Sequence, residues 1–186
     1  MTLRVVPITV KGAMVYVEAH HSHHHAPVGG LLACAVADGD RLCCVAILSR
    51  PVARMLDAQG GVAEVTRVAS DGTRHAASMC LAALARAARA LGWQRLVSYT
   101  ILGESGTSYR AAGWRVTGIC DGRGGTWHTR DGRTVAQPGV KVRWETGDAA
   151  LAEDASVLAE MLAAVGSVDV PARPESLPLL ARAGVR

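Results

Sequence analysis

Apolar positions along this chain follow two rhythms, and the switches between them mark out its elements. Alternating or continuous apolar runs at Leu3–Val6, Leu31–Ala37, Arg41–Leu48, Ala63–Ala69, Leu96–Leu102, Trp114–Ile119 and Val140–Glu145 predict strands. Asp38-Gly39-Asp40 between the second and third runs is a hairpin signal. Val10, Ala13, Met14 and Val17 share one helical face in a segment that Thr9 can cap and that runs to about His20. His75–Leu91 reads as an amphipathic helix stopped by Gly92, and Ser105–Ala112 as a short helix ended by Gly113. Val52–Ala58 can form a helical turn that Gly60-Gly61 breaks. The order β-α-ββ-β-α-β-α-ββ predicts the α/β (α+β) class, a mixed sheet with helices on its faces.

A second pattern follows. Ala149–Val165 is an Ala-rich helical segment with Leu151, Leu158, Met161 and Leu162 on one side, and a break containing Pro171, Pro174 and Pro178 comes after it. The shift near Gly147 divides the chain into a domain of residues 1–147 and a helical C-terminal extension of residues 148–186. The apolar side of that extension needs a cover, which a homodimer would supply.

Composition narrows the field. At 186 residues and 49% apolar content, a single core with a small appendage is expected. No apolar run reaches membrane-spanning length, and residues 1–20 lack the pattern of a signal peptide, so a cytoplasmic protein with no membrane partner is expected. The five cysteines (Cys34, Cys43, Cys44, Cys80, Cys120) are odd in number and show no CxxC spacing, which favours buried free thiols. Cys43 and Cys44 are neighbours on a predicted strand and are expected on opposite faces. The net charge of +4 is carried by Arg, with Lys11 and Lys141 the only lysines. Arg suits bidentate contact with phosphate or carboxylate, so a pyrophosphate-bearing cofactor or DNA would fit, as would a merely solvated surface.

Three features could carry chemistry. The first is the turn DGTRHAAS between a predicted strand and the long helix. It brings free backbone amides to a helix N-terminus beside a strand end, a place that holds anions. Gly72, Ala76, Ala77 and Ser78 keep it uncrowded and Arg74 adds charge. An ordinary strand-to-helix loop with an Asp or Thr cap would read the same way. The second feature is GESGTSYRAAGW. Glu104 and Ser105 lie at a strand end, where α/β folds place their sites; Glu104 could equally serve the helix dipole, and Ser105 or Thr107 a cap. The third is the group His20, His21, His23, His24 and His25. The i,i+4 pairs His20/His24 and His21/His25, with Glu18, could hold a metal. One of these imidazoles could instead act as a base, or the loop could simply be solvated. His128 reads as a surface residue, and Asp71 could pair with Arg67. There is no Gly-x-Ser-x-Gly elbow and no kinase-type glycine loop.

The strand-turn-helix-strand-helix stretch from Glu64 to Trp114 resembles the cofactor-binding half of the GNAT N-acyltransferase superfamily. That resemblance implies a mostly antiparallel central sheet with helices on both faces. Acetyl-CoA or another acyl-CoA would lie between the strands at Glu64–Ser70 and Leu96–Leu102, with Val68, Ala69, Ser70, Asp71, Gly72, Thr73, Arg74, Ala76, Ala77 and Ser78 as its binding segment. The superfamily turn follows Arg/Gln-x-x-Gly-x-Gly/Ala; here Arg74 stands near the basic position and His75, Ala76 and Ser78 replace the glycines. Tyr109, Gly113 and Trp114 match the superfamily's closing helix and strand, which makes Tyr109 the implied acid for the leaving thiolate. His20, His21, His24, Glu104 and Ser105 complete the candidate catalytic set.

Taken together, HHSHHHAPVGG, EVTRVASDGTRHAASMCLAALARAARALG, SYTILGESGTSYRAAGW and KVRWE resemble a group of GNAT-like proteins of phages and mobile elements related to the Mom DNA-modification proteins. That implies, as one possible acceptor, an adenine base of DNA, with Arg123, Arg130 and Arg133 on phosphates. Three functions therefore compete. They are acyl transfer from acyl-CoA to an amine, base modification of the Mom type, and a non-catalytic scaffold that binds a partner through residues 149–186.

Overall fold

The computed structural model describes residues 2–20, 26–120 and 140–147. Their elements are β1 (Leu3–Pro7), α1 (Val10–His20), β2 (Leu32–Asp38), β3 (Arg41–Ser49), α2 (Arg54–Asp57), β4 (Val62–Ser70), α3 (Ala76–Ala90), β5 (Arg95–Ile101), α4 (Thr107–Ala111), β6 (Arg115–Cys120) and β7 (Lys141–Gly147). The strands form one seven-stranded sheet in the order β1-β2-β3-β4-β5-β7-β6. Each neighbouring pair is antiparallel except β4 and β5, which run parallel. The predicted mixed, mostly antiparallel sheet is thus present, and among the described residues each predicted strand and helix lies within a few residues of its observed position.

Helices cover both faces for reasons visible in their spacing. The Thr9 hydroxyl accepts the Gly12 N–H at 3.0 Å and so caps the start of α1. Ala13, Tyr16 and Val17 of α1 then pack on Ala33, Ala35, Val45, Ile47 and Ala69. On the opposite face, α3 lays Ala76, Cys80, Leu81, Leu84, Ala85 and Ala88 against β1–β4. Its many alanines keep the helix axis close to the sheet. Gly92, at φ 95°, ends α3: its N–H bonds to Arg89 O at 2.9 Å and that of Trp93 to Ala88 O at 3.1 Å. Leu56 of α2 packs on Val62 and Val97 on the α1 face, whereas Tyr109 of α4 joins the α3 core.

One expectation about the cysteines is corrected. Val36 pairs with Cys44 and Ala37 with Leu42, so Cys43 is an extra residue in β3. The bulge interrupts the alternation of faces, and Cys43 and Cys44 are both buried in the α3 core instead of facing opposite sides. All five cysteines are free thiols, with Cys34 and Cys120 half-buried. Residues 121–139, which include Arg123, Trp127, His128, Arg130 and Arg133, and the extension from 148 onward lie outside the described residues.

An aromatic group ties α4 to the sheet. The Tyr109 ring stacks on Trp144 of β7 at 5.3 Å and meets Trp114 edge-on at 5.6 Å. Trp144 also donates its indole N–H to Thr100 Oγ1 at 3.0 Å. Gly106, at φ 60°, lies flat against this indole, where a Cβ would come within 2.1 Å of Cζ2. Gly106→Ala therefore both strains the left-handed turn and overpacks a filled core. It should destabilise the protein by about 2 kcal/mol or more, read as a lowered midpoint in urea unfolding.

Candidate active site

The site begins where β4 and β5 separate. Their register runs Val62↔Arg95, Ala63↔Leu96, Glu64↔Val97 and Val65↔Ser98, and it ends there. Yet β4 continues to Ser70 and β5 to Ile101, held from behind by β3 and β7. Two strand edges therefore face one another across an opening. A bulge contributes to it: Ile47 pairs with Arg67 and Leu48 with Val65, which leaves Thr66 as an extra residue that bends β4.

Ser98 marks the crotch of this fork. Its hydroxyl donates to Val65 O at 2.9 Å and lies 2.8 Å from the Tyr109 hydroxyl. The phenol is thereby fixed at the fork on the α3 side. Burial pushes its pKa up to about 12, with the Ser98 hydrogen bond pulling the other way. It holds its proton throughout the physiological range.

On the other side of the sheet the fork carries a carboxyl. Glu64 pairs with Ser49 and Val97 and faces α1 and α2. It is only 7% exposed, and its Oε2 accepts the Val52 N–H at 2.9 Å. Burial raises its pKa, while that N–H, Lys141 and Arg67 oppose the rise. A carboxyl shifted toward neutrality at the root of an opening is suited to accept a proton. Sequence reasoning missed Glu64 because it had been read only as the start of an apolar strand. The available signal was the one acidic residue in a largely apolar run whose other charge is Arg67.

The strand-to-helix turn sits past the far end of β4. Asp71 forms an ion pair with Arg41 at 2.5 Å and accepts the Thr73 N–H at 2.9 Å. Desolvation raises the Asp71 pKa, but Thr73 and Arg41 outweigh it, and the carboxyl stays below its usual range. Arg41, not Arg67, is thus the partner of Asp71, because the β3–β4 pairing carries the start of β3 alongside the end of β4. Gly72 has φ 90° and donates to Ser70 Oγ at 3.3 Å. His75 precedes α3 at φ 66° with no side-chain cap. The Ala76 N–H closes the turn onto Thr73 O at 3.2 Å. Among the described residues nothing accepts the amides of Arg74, His75, Ala77 and Ser78. Arg74 and His75 are both exposed.

The other sequence candidates are placed as follows. Val68, Ala69 and Ser70 form the part of β4 that β5 does not pair. His20 ends α1 with its ring stacked on Tyr16 at 3.9 Å and its Nδ1 3.1 Å from Tyr16 O. His21 and His24, with His23 and His25, lie outside the described residues. No group of ligands able to hold a metal occurs among those described. Glu104 is exposed beyond β5. The Ser105 hydroxyl accepts from the Thr107 N–H at 3.4 Å and the Thr107 hydroxyl at 3.0 Å, and its carbonyl accepts from Arg110 at 2.5 Å, which makes it part of the turn into α4.

No protein-family model matches the sequence, and no curated protein does. Solved structures match over most of the chain. A Bacillus subtilis acetyltransferase in complex with CoA has a TM-score of 0.52 at 13% identity, covering 78% of this chain and 97% of that one. The ribosomal-protein-S18-alanine N-acetyltransferase of Escherichia coli scores 0.54 at 12% identity, covering 78% and 94%. A GNAT family acetyltransferase of Elizabethkingia anophelis with acetyl-CoA bound scores 0.55 at 10% identity, covering 78% and 97%. The fold is that of the GNAT acetyltransferases.

Within this GNAT fold, His75 is the described non-glycine residue at positive φ. It stands in the turn between β4 and α3. His75→Gly removes a left-handed strain and should raise stability by about 1 kcal/mol, measured as a higher midpoint in urea. An unchanged or lowered midpoint would contradict the strain.

Proposed function

We propose that the protein is an acyl-CoA-dependent N-acyltransferase with an amine acceptor. The observation that carries this reading is the fork: β4 and β5 part at Val65–Ser98 with a phenol on one side of the sheet and a carboxyl on the other. The extended donor arm, which contains amide groups, suits the unpaired edge of β4 from Thr66 to Ser70. The donor's pyrophosphate suits the free amides between Arg74 and Ser78.

Ser98, Tyr109 and Glu64 would then flank the reacting end of a donor held along that edge. The acceptor nitrogen attacks the thioester carbon from the α1 side, and Glu64 takes its proton. The C–S bond breaks, and Tyr109 passes its proton to the departing sulfur. Glu64 replaces Glu104 and His20 as the proposed base, since among the described candidates it combines burial with a place at the fork. His20 stays a contributor to the far end of the site, near Asp71.

A nucleobase acceptor of the Mom type draws no support from the structural neighbours, and the arginines proposed to grip DNA fall in 121–139. A non-catalytic scaffold would leave the fork without a role. No helix among the described residues is long and apolar enough to cross a membrane.

Acetyl-CoA should raise the melting temperature of the purified chain and should bind with measurable heat in calorimetry. With a turned-over amine, Tyr109→Phe and Glu64→Gln should each lower kcat by about 10²-fold or more. The base form of Glu64 is needed, so wild-type rate should rise with pH through a pKa above the ordinary carboxylate value. That limb should vanish in Glu64→Gln. Tight acetyl-CoA binding with both variants fully active would refute the assignment of roles.

A further inference from the structure

The α1 face of the sheet continues past Glu64 onto a row of charged residues that the transfer step does not use. Tyr99 pairs with Arg143 across β5 and β7, and Arg143 pairs in turn with Gly118 of β6. Val97 pairs with Glu145, and Ile101 with Lys141. These residues share the face of Glu64, since cross-strand partners point the same way. Tyr99 is within electrostatic reach of Arg143, Glu64 and Glu145, and Glu64 within that of Lys141.

The charges in this row do not cancel. Glu145 is 2% exposed and is already held by two guanidiniums: Arg95 Nε lies 3.1 Å from Oε2, and Arg143 Nη2 pairs with Oε1. Among the described residues this is the only partner of Arg143, whose Nε is buried with no hydrogen bond. Lys141 is half-buried beside Glu64, a carboxyl that burial biases toward its neutral form. Cations thus outnumber carboxylates on a partly desolvated surface, a costly state unless an anion visits. There is also room for one. Beside Arg143 stands Gly118, where an added Cβ would meet no atom within 4 Å.

We infer that the acceptor carries a carboxylate as well as its amine, with the carboxylate held by Arg143 next to Tyr99 and Gly118 and the amine turned toward Glu64. The acceptor class is therefore an amino acid or a similar small amino-carboxylate, not a simple amine. This rests on the transferase reading above. A single planar guanidinium with a modest excess of positive charge matches a monoanion of fork geometry better than a phosphate chain.

The test uses the full chain, acetyl-CoA and a panel of L-amino acids, each compared with its own carboxamide, with thiol release as the readout. At least one acid should exceed its amide in kcat/KM by about 10-fold or more, the worth of one charge-assisted hydrogen bond. Arg143→Gln should bring that ratio close to one, and Arg143→Lys should keep part of it. Because Arg143 also neutralises Glu145, Gly118→Val provides a second probe that leaves every charge in place. It should raise KM for the acid with little change in kcat. Amides used as well as acids by the wild-type protein would overturn the inference, and so would a preference that survives in both Arg143→Gln and Gly118→Val. So would preferential acylation of a single-stranded oligonucleotide. Acetyl-CoA binding, measured separately by calorimetry, tells the two failures apart. Binding retained with no carboxylate preference removes only the acceptor class. No binding and no turnover removes the transferase and the acceptor class together.

Discussion

The parting of β4 and β5 governs this molecule. A parallel pair that stays zipped satisfies its own backbone and leaves no room for a ligand. Here the zip stops at Val65–Ser98, and the backbone groups beyond it face an opening. Such groups are costly when buried dry, so the opening must be wetted or filled. The structure supports the fork from three sides. The Thr66 bulge bends β4 away, β3 and β7 hold the two strands from behind, and the Ser98 hydroxyl occupies the Val65 carbonyl at the crotch.

In the proposed mechanism, Tyr109 and Glu64 acquire their roles as acid and base from this arrangement through burial. Tyr109 and Glu64 are both removed from water, and both shift toward their neutral, protonated forms. For the phenol this keeps a proton ready. For the carboxyl it raises basicity, as the proposed role requires. The two lie on opposite faces of one sheet, so proton arrival and departure need not compete for space. The aromatic group of Tyr109, Trp114 and Trp144 holds the first of them rigidly, and the Val52 N–H orients the second.

In the inferred acceptor site, the charged row on β5 and β7 extends the same logic to recognition. Arg95 and Arg143 are anchored on a carboxylate that is itself almost inaccessible, which fixes their geometry in advance. Pre-ordered cations lose little entropy when they meet an anion. A loose surface arginine would have to be ordered first. Beside Arg143, Gly118 leaves open space, where an added Cβ would meet no atom within 4 Å.

Much of the architecture was legible without coordinates. Among the described residues, apolar spacing located the strands and helices, Thr9 and Gly92 announced a start and a stop, and DGTRHAAS announced a strand-to-helix turn. These signals are local: each depends on residues within a turn or two of one another, where sterics and capping act directly. What lay beyond them depended on register. Cys43 and Thr66 became bulges only because their partner strands skip a residue. Asp71 found Arg41, thirty positions away, and not its sequence neighbour Arg67. Glu64, Ser98, Tyr99 and Arg143 are scattered along the chain and look unremarkable one by one. Hydrogen-bonded strand pairing sets which of them stand side by side, and that pairing is a long-range property of the whole sheet. The chain by itself specified where the described elements run and which turn leads into the long helix; only tertiary structure decided where two strands part and which charges meet at the gap.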